Sequence, residues 1–359
     1  MYDVFSRPSK EGFDIVIGNP PYGAKYPKEQ KDYYKKHFVT AKSIKGVQKA
    51  SYDTFTLFIE QGYKLLRHNG SFAFIVPISL TSSDAVTGVH RILLEHCNPV
   101  FISSYAVRPK PVFENAVVNT SILLMKKTET PCEHLYSTKM YRRGHGKFKL
   151  QSLINNLQFT NVEEYMLIGR IPKISLEIEK NILHKLKRLN PLSQYIDSSE
   201  GKAIYYRTTG GRYFKIVTNY PTGSTKEKPL FFQMDYADSI GCILSSNLAF
   251  WFYQIYSNNL DWKSYEILSF PIPHLDSLQK EKLNNLYSIY LQDIESKANV
   301  RTSTGKSKYT VDSFKEYKIV RSKHIIDQID DYIGPMYGLT QEEINFIKNY
   351  ELEFRLSGE

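Results

Sequence analysis

Phe13-Asp14-Ile15-Val16-Ile17-Gly18-Asn19-Pro20-Pro21-Tyr22 decides the reading of this 359-residue chain. The first six residues are a short apolar run of the kind found in strands covered on both faces, and the Gly-Asn-Pro-Pro that follows breaks it. A strand therefore delivers a proline-stiffened loop to its carboxyl end, where open α/β sheets bind ligands. An ordinary proline turn is the plain alternative.

Working outward, Phe55, Phe58, Ile59, Tyr63 and Leu66 recur at helical spacing, with a helix stop at His68-Asn69-Gly70. Ser71-Phe72-Ala73-Phe74-Ile75-Val76-Pro77 then reads as a second buried strand. Two strands flanking a helix predict a parallel, doubly wound sheet. Arg91 to His96 is a helix end, Val100 to Ser104 a third strand, and Asn119 to Met125 a fourth. Residues 127–149 are polar and basic and read as the exit from a first domain. A helical pattern returns from about Ile174 to Leu189, and a glycine-rich, aromatic stretch, Tyr205 to Lys215, follows. Asn247 to Tyr256 is an aromatic amphipathic helix, and Phe270-Pro271-Ile272-Pro273 closes that region. The remainder is helical, interrupted by a flexible basic run from Arg301 to Lys308. No fixed-period repeat is present.

The tetrapeptide suits one chemical problem. An exocyclic amine on an aromatic ring is a poor nucleophile because its lone pair is delocalised into the ring. Two acceptors aimed at its two N–H bonds would localise that pair, and the Asn19 side-chain oxygen and the Pro20 carbonyl can supply them. Pro20 and Pro21 fix φ and have no N–H to compete. Tyr22 offers a flat face for an extruded base.

Composition narrows the setting. A content of 42% apolar residues is enough for real cores, so the chain reads as folded and multi-domain rather than disordered. The formal charge of +10, with 27 tyrosines and 20 phenylalanines, suits a surface that meets phosphates and stacks on bases. Cys97, Cys132 and Cys242 are far apart, which argues against a disulfide framework or a zinc site and for a reducing, cytoplasmic setting. No apolar run approaches a membrane span, and Met1 to Lys10 lacks the core of a signal peptide. Asp197, Glu200 and Lys202 are too cramped for a nuclease-type metal site, and no metal is expected.

Asn19-Pro20-Pro21-Tyr22 resembles the motif of S-adenosylmethionine-dependent amino-methyltransferases. The wider pattern is similar to adenine-specific DNA methyltransferases of restriction-modification systems with fused methylase and specificity parts. Tyr52 to Leu66 and Gly70 to Pro77 are similar to the helix and strand that follow the motif in that family. Pro111-Val112-Phe113-Glu114-Asn115-Ala116-Val117-Val118-Asn119-Thr120 resembles its later motif, which implies that Phe113 is a second stacking face for a flipped adenine. Ala203 to Arg207, Gly210 to Lys215, Leu244 to Asn247 with Trp251-Phe252-Tyr253, and Phe270 to Pro273 resemble the family's target-recognition region. Interleaved aromatic and basic side chains there make Tyr206, Arg207, Arg212, Tyr213 and Lys215 candidates for contact with double-stranded DNA. A solvated hairpin is the alternative.

The resemblance implies an α/β fold: the C-terminal half of a Rossmann-like S-adenosylmethionine methyltransferase sheet, then an α+β target-recognition domain and a helical C-terminal region. The expected division is a partial catalytic domain over 1–128, an exit segment over 129–170, the recognition domain over 171–275 and the helical region over 276–359. The family binds S-adenosyl-L-methionine through a glycine-rich loop after its first strand and an acidic residue after its second. Neither precedes Asn19, so the cofactor motif is expected to lie outside this chain. The strand at Phe13–Gly18 would then have a bare apolar edge, and a further polypeptide carrying the glycine-rich half would complete the sheet. The tetrapeptide also occurs in enzymes that methylate cytosine N4, ribosomal RNA or a protein glutamine. A DNA-binding specificity module without activity of its own is the reading of a different class.

Overall fold

The computed structural model describes residues 5, 11–23, 25–42, 51–113, 117–143, 150–210, 214–302 and 313–356. The chain divides into two compact units at Lys180/Asn181, and Ile255–Asn258 return to the first.

The first unit is an α/β structure on a six-stranded sheet. Its strands are β1 (Phe13–Gly18), β2 (Leu66–Pro77), β3 (Cys97–Tyr105), β4 (Thr120–Lys127), β5 (Leu135–Tyr141) and β6 (Thr160–Asn161), in the order β1-β2-β4-β3-β5-β6. β1 and β2 are parallel, joined through helices α1 (Lys28–His37) and α2 (Thr54–Leu65), but β4 runs antiparallel to both β2 and β3. The sheet is mixed. The expectation of a parallel sheet fails because the connection between β3 and β4 carries no helix among its described residues, and a return without a crossover helix makes an antiparallel neighbour. β5 lies within the stretch read as an exit segment, yet pairs with β3 in parallel. Its alternation of buried and open positions is hidden in sequence by the polar residues of Tyr136-Ser137-Thr138-Lys139.

Register shows how the two faces differ. Val16, Phe72, Met125 and Val100 share one row across β1, β2, β4 and β3. Their face is the core, with Phe72, Met125 and Val100 buried. Gly62 lets α2 approach it closely, since a Cβ there would stand 2.5 Å from the Phe72 ring. The next row, Ile17, Ala73, Leu124 and Phe101, faces the other way. There Ile15 is 66%, Ile17 77% and Leu124 42% exposed. β1 is therefore covered on one face only, and it occupies the end of the sheet. The sequence reading of a strand covered on both faces is corrected to that extent.

Two local boundaries also differ. α2 stops at Leu65, and His68-Asn69-Gly70 lies inside β2, where Asn69 takes φ of 60° and the β1 register shifts between Phe13 and Ile15. α1 has no apolar periodicity and no buried residue, so its helical state was invisible to a hydrophobic pattern. What favours it is charge: Glu29 in the first turn and Lys35, Lys36 and His37 in the last complement the helix dipole.

The second unit carries a short strand β7 (Asn190–Pro191) and a three-stranded antiparallel sheet of β8 (Lys202–Arg207), β9 (Val217–Thr218) and β10 (Glu227–Phe232), in the order β10-β8-β9. Its helices include Ala237–Leu244, Ser277–Ser296, Lys323–Met336 and Gln341–Asn349. Asp330 fixes the start of the helix Asn247–Tyr256, accepting from the backbone N–H of Asn247 at 2.9 Å and of Leu248 at 3.0 Å. Burial pushes the Asp330 carboxyl up to about 6 despite those bonds. The basic run expected over Arg301 to Lys308 lies, from residue 303, outside the described residues.

Candidate active site

β1 ends at Gly18, and the next four residues turn across the carboxyl end of the sheet. Pro20 is buried, while Asn19 and Pro21 are exposed and Tyr22 is half-buried. The Tyr22 hydroxyl lies 2.9 Å from Asn19 Oδ1 and 3.0 Å from the Ile75 carbonyl oxygen, and donates its one proton between them. Burial raises the Tyr22 phenol above its ordinary value, so it remains a donor through the neutral range. Asn19 is thus oriented by a hydroxyl that is itself anchored to β2. An amide oxygen has two lone pairs, and the one not used by Tyr22 can accept from a second donor.

Two side chains to which the sequence reading gave no role hold this loop. Asp53 stands at the N-cap of α2, but its carboxylate bonds no helix N–H; Oδ1 instead accepts from the Gly23 N–H at 3.0 Å. Gly23 has φ of 73°, a left-handed turn that glycine adopts without strain. Tyr26 then donates to Thr54 Oγ1 at 3.1 Å. The chain leaving the tetrapeptide is therefore tied to the first residues of α2. Asn119 does the same for the loop between β3 and β4. Buried, it accepts from the Val107 N–H at 2.7 Å and donates to the Asn258 carbonyl at 2.7 Å, while its own carbonyl accepts from the Ile78 N–H at 2.9 Å. An Asx residue just ahead of a helix or strand was the available signal for both.

Phe113 stands in that loop, half-buried. β1, β2 and β3 all point the same way, so the loop leaves from the same end of the sheet as Asn19. Three strand spacings separate β1 from β3 in the sheet order, about 14 Å. The topology places Phe113 at the same end of the sheet as Tyr22 without bringing the two together.

In the second unit the five expected DNA contacts separate. Arg212 and Tyr213 lie outside the described residues. Tyr206 is 3% exposed and packs edge-on against Trp262; Lys215 is 5% exposed, with its ammonium 4.1 Å from the centroid of the Tyr253 ring and donating to the Gly210 carbonyl. Both are corrected from surface contacts to interior supports of the β8–β9 connection, because alternation in β8 turns Tyr206 inward. Arg207 stays partly exposed. With Tyr205, Thr222, Lys226, Lys315 and Tyr317 it lines a cavity of about 300 Å³.

Among the described residues no group of three or more His, Cys, Asp or Glu could hold a metal ion. Asp197 accepts from Ser199 and Glu200 within its own turn, and Lys202 pairs with Asp238 at 2.6 Å. No helix among the described residues is long and apolar enough to cross a membrane.

Residues 2–113, which hold this strand and loop, match the model of the family described as Eco57I restriction-modification methylase. A putative type II restriction enzyme and methyltransferase of Methanocaldococcus jannaschii is 24% identical over 192 residues, covering 52% of this chain and 15% of that protein. A type II methyltransferase of Thermus thermophilus is 40% identical over 76 residues, covering 19% of this chain and 16% of its own length. The DNA complex of the type IIL restriction-modification enzyme MmeI aligns with 96% of this chain and 57% of its own, at 11% identity and a TM-score of 0.49. The chain thus spans less than a fifth of the curated relatives it matches.

Proposed function

We propose that this chain is the amine-binding part of an adenine-N6 DNA methyltransferase of a restriction-modification system. The observation that carries the reading is the Asn19 amide oxygen held by the Tyr22 hydroxyl at the carboxyl end of β1. Asn19 Oδ1 and the Pro20 carbonyl accept from the amine of an extruded adenine, and the Tyr22 ring stacks on it. Holding both N–H bonds localises the nitrogen lone pair for attack. Phe113 closes the other face of the base from the β3–β4 loop.

S-adenosyl-L-methionine would supply the methyl group. Among the described residues no glycine-rich loop stands beside β1, and β1 is the last strand at its end of the sheet. The exposed Ile15, Ile17 and Leu124 are the surface on which a donor-binding segment, in the same or another polypeptide, would pack. In this reading the second unit contacts the target duplex, with Arg207 as its partly exposed cation.

The test is methyl transfer from labelled S-adenosylmethionine to duplex DNA, with the chain joined to or mixed with a donor-binding polypeptide. Asn19→Ala should remove transfer, with N6-methyladenine the product of the parent, and should leave DNA affinity unchanged. Equal transfer by the variant, or a methylated cytosine as the product, would overturn the assignment.

A further inference from the structure

Immediately after the proposed base-binding loop the chain forms α1, a ten-residue helix with no buried residue. Helices this short are marginal in water unless one face is packed. Residues 25–37 hold five lysines, Lys25, Lys28, Lys31, Lys35 and Lys36, against Glu29 and Asp32, a net of three positive charges (five minus two). All five lysines are exposed. Lys28, Lys31 and Lys35 are spaced three and four residues apart, so they form one stripe, and like charges at that spacing repel. The helix is anchored through Tyr34, whose ring meets Tyr26 and Phe38, and the lysine stripe it leaves exposed is a surface arranged for an anionic partner.

Its position specifies which partner. Tyr26, one turn before α1, is bonded to Thr54 at the start of α2, and the Lys31 ammonium stands 6.0 Å from the centroid of the Tyr52 ring. α1 therefore lies at the carboxyl end of β1, the end that presents Asn19 and Tyr22. Lys28 to Lys35 span about 10 Å at 1.5 Å per residue, close to three steps of a DNA strand at about 3.4 Å each. We propose that α1 is a phosphate-binding helix that holds the DNA backbone beside the extruded adenine through Lys28, Lys31 and Lys35. The inference rests on the function proposed above and adds to it the element that grips the duplex at the catalytic loop. Contacts to phosphate fix register without reading sequence, so α1 supplies affinity and orientation, and leaves specificity to other parts.

The experiment measures duplex affinity of the full chain as a function of salt, for the parent, for Lys28→Gln/Lys31→Gln/Lys35→Gln, and for the corresponding triple arginine variant. The slope of log affinity against log salt should fall by about two to three for the glutamine variant, since each phosphate contact contributes about 0.9. The arginine variant should keep the parent slope. Because α1 buries no residue, both variants should retain the parent circular dichroism. Equal slopes for parent and glutamine variant, or no duplex binding by the parent, would overturn the proposal. Failure of the underlying reading is distinguishable. A lysine-dependent slope without N6-methyladenine formation defeats the methyltransferase assignment alone, whereas methylation with an unchanged slope defeats only the role of α1.

Discussion

At the scale of single residues, the Tyr22 hydroxyl links Asn19 to β2, and its loss separates orientation from stacking. Tyr22→Phe keeps the ring but removes the donor shared by Asn19 Oδ1 and the Ile75 carbonyl. A bond of this kind is worth about 0.5–1.5 kcal/mol, so transfer should slow by about three- to tenfold with little change in DNA affinity. Tyr22→Ala also loses the stacking face, about 1–3 kcal/mol, and should slow transfer further. Single-turnover kinetics on one duplex compares the two; equal rates for Tyr22→Phe and the parent would remove the orienting role. The tetrapeptide itself was legible in sequence because a strand and two prolines fix its context. Tyr206 and Lys215 were misread because aromatic and basic letters look alike on a surface and in an interior, and only the pleat of β8 and the position of Tyr253 decide between them.

At the scale of elements, two buried titratable groups couple the packing of the first unit to pH. Burial lowers His90 to about 4, against its Nε2 bond to the Leu80 carbonyl at 2.6 Å. A histidine whose folded value lies below its unfolded value of about 6.5 is protonated first in the unfolded chain, so stability is lost as pH falls from about 6.5 toward 4. Glu60 adds to this lower down. Burial alone would raise its carboxyl, but bonds from Lys64, Thr40 and Val39 outweigh it and hold the group below the ordinary value. Its contribution is present above about 4.3 and is lost as pH falls through the folded value. Protection factors of β2 amides, with the intrinsic pH dependence of exchange divided out, should therefore fall on acidification below about pH 6.5, and less so in His90→Gln. Identical pH dependence in the two would exclude the histidine as a source. Glu60→Gln should cost about 1–3 kcal/mol at pH 7 by leaving donors at Val39 and Thr40 poorly satisfied. Chemical denaturation of the two forms measures that difference. The α2 and β2 pattern was readable from periodicity, whereas α1, with no apolar face, and β5, with polar letters, were not.

At the scale of the whole molecule, the open end of the six-stranded sheet is the feature with the widest consequence. Ile15 and Ile17 are solvated hydrophobic side chains on a strand at the sheet's end, a surface prone to pairing with another chain. Alone, the chain should self-associate, and Ile15→Lys/Ile17→Lys should return it to a monomer by size exclusion with light scattering. The same pair should abolish assembly with a donor-binding segment; a parent chain that is monomeric at high concentration would contradict this. The uncovered face was not legible, because Ile15-Val16-Ile17 reads the same whether one face or two are packed. The most direct test of the assignment is a genome-wide map of methylated bases in a methylation-free host that expresses the chain in its native gene context. N6-methyladenine at one defined sequence, absent with Asn19→Ala, is the result predicted. No methylated adenine with the parent, or the same methylated sites with Asn19→Ala, would contradict it.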